Sequence, residues 1–317
     1  MYMQDARIHR GTSLKELWRS LAGVAILAGF IVFVEVYFGW RALLAPWTRL
    51  PLEEIAVAAL LTLLSYWLRA VRFYDYFRAE MVGRFGLCVK LMLQHNLLNN
   101  LLPMRTGELS FPVLMSRYFA VSSLRSMPAL LWFRLLDIHI LGICALLAVQ
   151  SVLWTWPWTL LGLMLWLPLP WLAFHFSGRW RRWLNHHDRG RLPQLLGRLL
   201  QGLPQQAAAF WRAWLWTLIN WVVKLGAFAW VLRLFIDISY PAAWMGSIAG
   251  DLTSVLPIHG VAGAGTYEAG VVAGLLPYGV APQPALAAAV NLHLFLLGTT
   301  LVSGAISLFI GGRRHHG

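Results

Sequence analysis

The sequence is poor in charged residues and in cysteine. Only 12% of its 317 residues are charged, whereas soluble domains carry roughly a quarter, so the composition argues against an ordinary soluble protein. Its two cysteines, Cys88 and Cys144, lie in apolar stretches without the CxxC spacing of a metal or redox site. We therefore interpret both as buried thiols. The apolar stretches also lack the period-two alternation of a membrane β-barrel.

Motifs that would indicate an enzyme are missing as well. The sequence contains no Walker A motif, no His-Glu-x-x-His and no Gly-x-Ser-x-Gly, so ATP hydrolysis, zinc-dependent hydrolysis and serine-nucleophile chemistry are not expected. It also has no long acidic loop that could hold a metal and a nucleotide sugar. A membrane transferase or hydrolase is therefore the least favoured class. We expect no enzymatic activity, no catalytic residue, no cofactor and no metal.

Hydrophobic residues, by contrast, make up 59% of the chain. Apolar runs of about 20 residues recur, and each can cross the hydrocarbon core of a membrane as a helix. A helix satisfies its backbone hydrogen bonds within one segment, as lipid requires. The sequence predicts an all-α polytopic membrane protein, with residues 1–317 forming a single membrane domain. The six predicted spans are residues 20–38, 55–73, 127–153, 160–176, 208–235 and 284–310.

The net charge of +13 comes from basic residues beside the apolar segments. The positive-inside rule and anionic headgroups explain such residues, so we expect membrane lipids as partners and no nucleic acid. The second span ends in a basic stretch with Arg69, Arg72, Arg78, Arg84 and Lys90, which places residues near 75–90 on the cytoplasmic side. The most basic loop, residues 177–206, is also cytoplasmic. Both termini are then expected inside a bacterial inner membrane, without a cleavable signal peptide.

Two further apolar segments are too short or too polar for comfortable spans. The first has arms at residues 85–102 and up to about residue 120, and both of its ends are predicted to be cytoplasmic. The second has arms at residues 244–256 and 269–276, and both of its ends are predicted to lie outside. We interpret each segment as a re-entrant helical hairpin whose turn lies inside the membrane.

The interruptions of these two segments resemble each other. Each has a polar residue before Leu-Pro, then glycine, then glutamate. The corresponding residues are Asn100, Pro103, Gly107 and Glu108 in the first, and Ser254, Pro257, Gly263, Gly265 and Glu268 in the second. Opposite entry of the two hairpins predicts an inverted repeat with halves at residues 55–176 and 207–311, and such repeats build a substrate site near the midplane. The alternative is a chance likeness between two proline-interrupted helices.

Charged side chains within a membrane are costly unless they are paired or hydrated, so each is a candidate for function. The candidate substrate-binding residues share a position at the two interruptions or on the spans beside them. They are Asn100, Pro103, Arg105, Gly107, Glu108, Arg134, Asp137, Asp251, Pro257, Gly263, Gly265, Tyr267, Glu268 and His293.

These residues admit a functional and a structural interpretation. In the first, Arg105 and Arg134 attract a phosphate through their planar guanidinium forks, while Glu108, Asp137 and Glu268 balance the charge or carry a proton. In the second, ion pairs fix the hairpins in place, because Arg134 and Asp137 are three residues apart on one helical face.

Three other polar residues within the spans have simpler interpretations. For Lys224 and Glu35, we expect side chains that extend along the helix towards the membrane surface. For His293, we expect a hydrogen-bonded contact between helices, although it also belongs to the candidate set above.

Over residues 55–310 the sequence resembles the lysylphosphatidylglycerol synthase transmembrane-region family, whose members are often called flippase-like domain proteins. The resemblance is carried by residues 100–108, Arg134 with Asp137, residues 256–268 and residues 285–293. It implies a membrane domain that handles lipids, in the best-understood relatives by moving aminoacylated phosphatidylglycerol between leaflets. The bifunctional synthases carry an aminoacyltransferase domain after the membrane part. Here the last span ends close to Gly317, so lipid aminoacylation is not expected.

The function expected from the sequence is a flippase or transporter for an anionic phospholipid or a lipid-linked carrier. The alternative is an accessory membrane protein that organises envelope lipid or glycan synthesis without transport. Either protein could associate with a second copy of itself or with an envelope-biosynthesis enzyme.

Overall fold

The computed structural model describes residues 28–152, 155–186, 197, 200–253 and 261–311 of the chain. Within these ranges all regular structure is helical. Among the described residues, five helical segments are long and apolar enough to cross a membrane, and a bent pair supplies a sixth if it counts as one span. The five are Leu52–Tyr76, Ser123–Val149, Trp156–Trp180, Ala207–Phe235 and Pro282–Phe309. The chain is therefore an all-α polytopic membrane protein, as predicted.

The helices are numbered along the chain. The bent pair comprises α1 (Ala28–Tyr37) and α2 (Trp40–Leu44), the latter extended by a 3-10 turn to Thr48, and the two directions differ by 85°. The others are α3 (Leu52–Tyr76), α4 (Arg78–Met81), α5 (Phe85–Leu101), α6 (Ser110–Phe119), α7 (Ser123–Val149), α8 (Trp156–Trp166), α9 (Leu169–His186), α10 (Ala207–Phe235), α11 (Tyr240–Thr253), α12 (Thr266–Leu275) and α13 (Pro282–Phe309).

The first broken segment consists of α5, a 3-10 helix at Pro103–Leu109 and α6. Leu102 is extended, with ψ 138°, because the proline ring that follows disfavours the helical conformation. We call Pro103–Leu109 the first elbow. A Cβ atom on Gly107 would overlap the backbone of Leu98 and Asn99. Glycine at this position therefore lets the elbow fold back against the end of α5.

The second broken segment consists of α11, a turn and α12. We call residues 261–265 the second elbow. Positive φ values of 57°, 79° and 84° occur at Ala262, Gly263 and Gly265. Residues other than glycine rarely adopt this backbone conformation. The predicted Pro257 lies outside the described residues. The arms also begin earlier than predicted, at Tyr240 and Thr266.

Small residues bring the two arms of the second segment into close contact. Gly246 and Gly250 on α11 face α12, and Gly270 and Gly274 on α12 face α11. A Cβ atom on Gly274 would lie 2.7 Å from the carbonyl oxygen of Met245. This is the small-xxx-small pattern by which helices approach closely in membranes.

The open ends of the two segments lie at opposite ends of α13. Lys90, near the start of α5, donates a hydrogen bond of 2.7 Å to the carbonyl of Ile310, directly after α13. The end of α12 instead leads through a short turn to Pro282, where α13 begins. A helix of 28 residues is roughly 42 Å long. The two segments thus enter the bundle from opposite ends, while their re-entrant position in a membrane and the inverted repeat stay predictions.

Each broken segment packs into its own hydrophobic cluster. One cluster joins Phe111 and Met115 of α6 to Phe73 of α3, together with neighbouring residues of α5 and α7. The other joins Val271 and Leu275 of α12 to residues of α10, α11 and α13. The arms are thereby held by apolar contacts, and polar side chains collect where the elbows meet.

Candidate functional site

The two elbows contact each other, and the second elbow also contacts α5. At this junction lies a partly open cavity with a volume of about 80 Å³. Both broken segments and helices α3, α7, α10 and α13 contribute to its wall. The lining residues are Tyr66, Arg69, Asn96, Asn99, Asn100, Arg134, Trp221, Lys224, Asp251, Thr253, Ala262, Gly263, Thr266, Tyr267, His293, Leu296 and Leu297.

Helix α3 directs a polar stripe into the bundle. Thr62, Ser65, Arg69 and Arg72 follow helical spacing and are all buried, with Arg72 only 2% exposed. The basic stretch at the end of the second predicted span therefore begins with two arginines that face the interior of the bundle. Because α3 continues to Tyr76, both arginines lie within the helix and face its neighbours.

Arg72 and Asp137 form the centre of a buried network. Arg72 Nη1 donates to Asp137 Oδ1 at 2.6 Å and to Thr217 Oγ1 at 3.1 Å. Trp221 Nε1 donates to the same carboxylate oxygen at 2.9 Å. The Arg72 guanidinium also lies 4.5 Å from the centroid of the Phe133 ring, within the range of a cation–π contact. The network links α3, α7 and α10.

Arg134 connects this network to the first elbow. Its guanidinium lies 2.6 Å from Glu108 Oε1 and 3.3 Å from Asp137 Oδ2. The predicted pairing of Arg134 with Asp137 is confirmed, although Asp137 has a shorter contact with Arg72. Two carboxylates thus share Arg134, and its charge is balanced before any ligand binds.

Arg69 differs from the other buried cations. Its Nη1 donates to Asn96 Oδ1 at 3.1 Å, and no carboxylate among the described residues lies within ion-pair distance of it. Within the same ranges, Arg69 Nε and Asn96 Nδ2 are buried donors without a hydrogen-bond partner. Both residues line the cavity. An arginine that is 8% exposed thus presents positive charge that these residues do not neutralise.

Lys224 and Asp251 form a second ion pair at the cavity wall. Lys224 Nζ lies 2.8 Å from Asp251 Oδ1, and both side chains are less than 10% exposed. The same ammonium lies 4.8 Å from the centroid of the Trp221 ring. The expectation that Lys224 extends towards the membrane surface is wrong, because the side chain points into the bundle and pairs with α11.

Glu268 and His293 join the second elbow to α13. Glu268 Oε1 lies 2.6 Å from His293 Nδ1, and its Oε2 accepts a hydrogen bond from the Gly265 backbone N–H at 2.8 Å. His293 Nε2 lies 2.8 Å from the carbonyl oxygen of Ala262. The expected helix contact of His293 is confirmed, and it includes a buried carboxylate that is 1% exposed.

The remaining predicted residues have varied positions. Asn100 lines the cavity and donates from Nδ2 to Thr300 Oγ1 at 2.9 Å. Tyr267 also lines it, with its ring 4.6 Å from that of His293. For Pro103 and Arg105, the structure describes only the backbone, which forms part of the first elbow. Glu35 is exposed, and its carboxylate accepts a hydrogen bond of 3.0 Å from the backbone N–H of Trp40 at the start of α2.

Sequence reasoning missed several residues of the cavity. The most important are Arg69 and Asn96, followed by Tyr66, Asn99 and Trp221. The polar stripe of α3 could have been found from its helical spacing, because residues three and seven apart share a face. The described residues contain no group of three or more acidic, histidine or cysteine side chains placed to hold a metal ion.

Fold and site together define a multi-pass α-helical membrane protein with a charged cavity between two broken helices. The sequence pattern of the family described as Lysylphosphatidylglycerol synthase TM region matches residues 20–304, so the chain belongs to that family. This membership makes it a membrane protein of the lipid-related flippase type. No curated protein and no solved structure matches the chain.

Proposed function

We propose that the protein moves an anionic phospholipid or a lipid-linked carrier across the membrane and binds the phosphate of its headgroup in the cavity. The observation that carries this proposal is Arg69, a buried arginine that no described carboxylate neutralises. A buried charge without a partner is strongly unfavourable. A ligand that supplies a negative charge would remove that penalty.

The charges around the cavity support an anion as the ligand. Arg72 and Arg134 share Glu108 and Asp137, and the other described carboxylates close to the cavity are likewise engaged, Asp251 by Lys224 and Glu268 by His293. The positive charge that remains among the described side chains is that of Arg69. One phosphate diester charge is equal to it in magnitude and opposite in sign.

The chemistry of the wall also suits a phosphate. Arginine presents a planar fork that can bind two phosphate oxygens at once. The unpartnered Nδ2 of Asn96 supplies a further donor beside it, and Asn99 and Asn100 add amide groups for the polar part of a headgroup. Such groups replace the water that a headgroup loses on entering the membrane.

The arrangement of the broken helices supports transport rather than binding alone. Their open ends lie at opposite ends of α13, and their elbows meet at the cavity. Movement of one elbow at a time would expose the headgroup site alternately to the two sides, as in transporters built from inverted repeats. We place the protein in a bacterial inner membrane with both termini cytoplasmic, and we assign it no catalytic role.

The test is lipid exchange in liposomes that contain the purified protein and fluorescent phosphatidylglycerol. Arg69→Gln removes the charge, Arg69→Lys keeps the charge without the fork, and Arg49→Gln is a matched control at an exposed arginine. We expect exchange in the wild type and the control, a reduced rate with lysine, and a rate close to that of empty liposomes with glutamine. Thermal unfolding of each variant verifies that it is folded.

Two outcomes would contradict the proposal in different ways. Wild-type exchange no faster than that of empty liposomes, across phosphatidylglycerol, phosphatidic acid and polyprenyl phosphate, would favour the non-transporting accessory protein. Exchange by folded Arg69→Gln equal to that of Arg49→Gln would leave transport standing and remove Arg69 from the site.

A further inference from the structure

His293 attaches α13 to both sides of the second elbow. Its Nδ1 contacts Glu268 at the start of α12, and its Nε2 contacts the carbonyl of Ala262 within the elbow. Ala262 has φ 57° and is not glycine, so its backbone is in a conformation that persists only where neighbouring contacts hold it. The bond to His293 is one of those contacts.

The hydrogen-bond partners determine how many protons this arrangement holds. The Ala262 oxygen can only accept, so His293 Nε2 must carry a hydrogen. The 2.6 Å contact between His293 Nδ1 and Glu268 Oε1 requires a second proton, on either the ring or the carboxyl group. With both protons present, the pair has no net charge, either as imidazolium and carboxylate or as imidazole and carboxylic acid.

Loss of one proton must break one of the two contacts. If the remaining hydrogen stays on Nε2, the lone pair of Nδ1 faces the carboxylate of Glu268, and that contact becomes repulsive. If it moves to Nδ1, the lone pair of Nε2 faces the oxygen of Ala262, and the elbow loses its donor. The buried pair then also carries a net negative charge, which is costly away from water.

We propose that Glu268 and His293 form a proton-binding site whose occupancy controls the attachment of the second elbow to α13, which makes H⁺ the coupling ion of transport. The coupling rests on the function proposed above, whereas the proton site rests on the contacts alone. His293 and Ala262 line the cavity, so the proton can exchange with water there. On release, the N–H or O–H bond that holds the proton breaks and a water oxygen accepts it; no other covalent bond changes.

Other charged or titratable groups face the same cavity, but their contacts differ from those of the Glu268–His293 pair. Lys224 and Asp251 already form an ion pair with each other, and Arg134 pairs with two carboxylates. The charged or titratable groups that line the same cavity from α3, α7, α10, α11 and α12 are Tyr66, Arg69, Arg134, Lys224, Asp251 and Tyr267. The Arg134–Glu108 pair holds the first elbow, whereas the proton count of His293 decides whether both of its contacts to the second elbow and α12 can form.

The first experiment measures proton binding without transport. Infrared difference spectra of the purified protein are recorded across a pH titration, and proton release is counted with an indicator after a pH jump. We expect the wild type to release about one proton more than Glu268→Gln or His293→Gln, with a matching loss of carboxyl or imidazole bands. Glu53→Gln, at an exposed glutamate, is the matched control and should behave as the wild type. Equal release and superimposable spectra for wild type and both site variants would overturn the proposal.

The second experiment measures coupling in liposomes. For one proton moved with each lipid charge, a gradient of one pH unit should produce about a tenfold asymmetry of labelled phosphatidylglycerol between the leaflets in the wild type. Glu268→Gln mimics the protonated pair and should abolish the asymmetry. If lipid exchange by the wild type does not depend on the pH gradient, the coupling is refuted but lipid transport is not. Absence of all exchange would instead refute the proposed function, and the infrared titration would still decide the proton site.

Discussion

Replacing Asp137 with asparagine should destabilise the protein more than any substitution of an exposed residue. The Asp137 carboxylate accepts hydrogen bonds from Arg72, Arg134 and Trp221. Asparagine keeps the shape but removes the negative charge, and it places an amide group against two guanidinium groups. Arg72 is 2% exposed and would be left as a buried charge without its counterion. Removing one partner of such a pair costs about 3–5 kcal/mol of folding free energy.

The assay is equilibrium unfolding in mixed micelles, followed by tryptophan fluorescence. Asp75→Asn is the matched control, because Asp75 pairs with Arg212 at the surface, where the two side chains are 20% and 50% exposed. Exposed pairs contribute about 0–1 kcal/mol. If Asp137→Asn lowers the unfolding free energy no more than Asp75→Asn does, the Arg72 network does not stabilise the bundle as described.

Two further substitutions test the packing of the site. Gly107→Ala should displace the first elbow and lower the free energy of unfolding by about 1–3 kcal/mol, because its Cβ atom would overlap the backbone of Leu98. Gly298→Ala is the control, since nothing lies within 4 Å of its Cβ position, and it should be neutral or slightly stabilising. Equal unfolding free energies for the two variants would contradict the close approach. Lys224→Met should lower the free energy of unfolding by about 3–5 kcal/mol, because it removes the cation that pairs with the buried Asp251 carboxylate. The control Arg212→Met should lower it by less than about 1 kcal/mol. Similar shifts in the unfolding temperature of the two variants would argue against a buried ion pair.

The membrane spans could be predicted from the sequence because length and apolarity determine them. The interruption at Pro103 was also predictable, since the proline ring disfavours a helical conformation at Leu102 and removes a backbone donor. The second elbow depends on positive φ values at Ala262 and two glycines, and the glycine-rich stretch indicated a turn there. That the two elbows contact each other followed from the predicted repeat alone, not from any local pattern.

The charges of the site were harder to place, because their roles depend on which helices are neighbours. Arg69 and Arg72 lie near the end of an apolar run, where they read as the start of a basic stretch that continues towards the cytoplasmic side. The structure shows that α3 continues past them and turns both into the bundle. Lys224 and Asp251 are on different helices, so no spacing rule could pair them. The helical spacing of Thr62, Ser65, Arg69 and Arg72 was the one local signal available.

A structure in nanodiscs of phosphatidylglycerol tests most directly whether a lipid phosphate binds at Arg69. We predict density for a headgroup in the cavity, with a phosphate oxygen within hydrogen-bond distance of the Arg69 guanidinium. A cavity that holds only water, with Arg69 bound to a protein carboxylate and every headgroup at the membrane surface, would contradict the account.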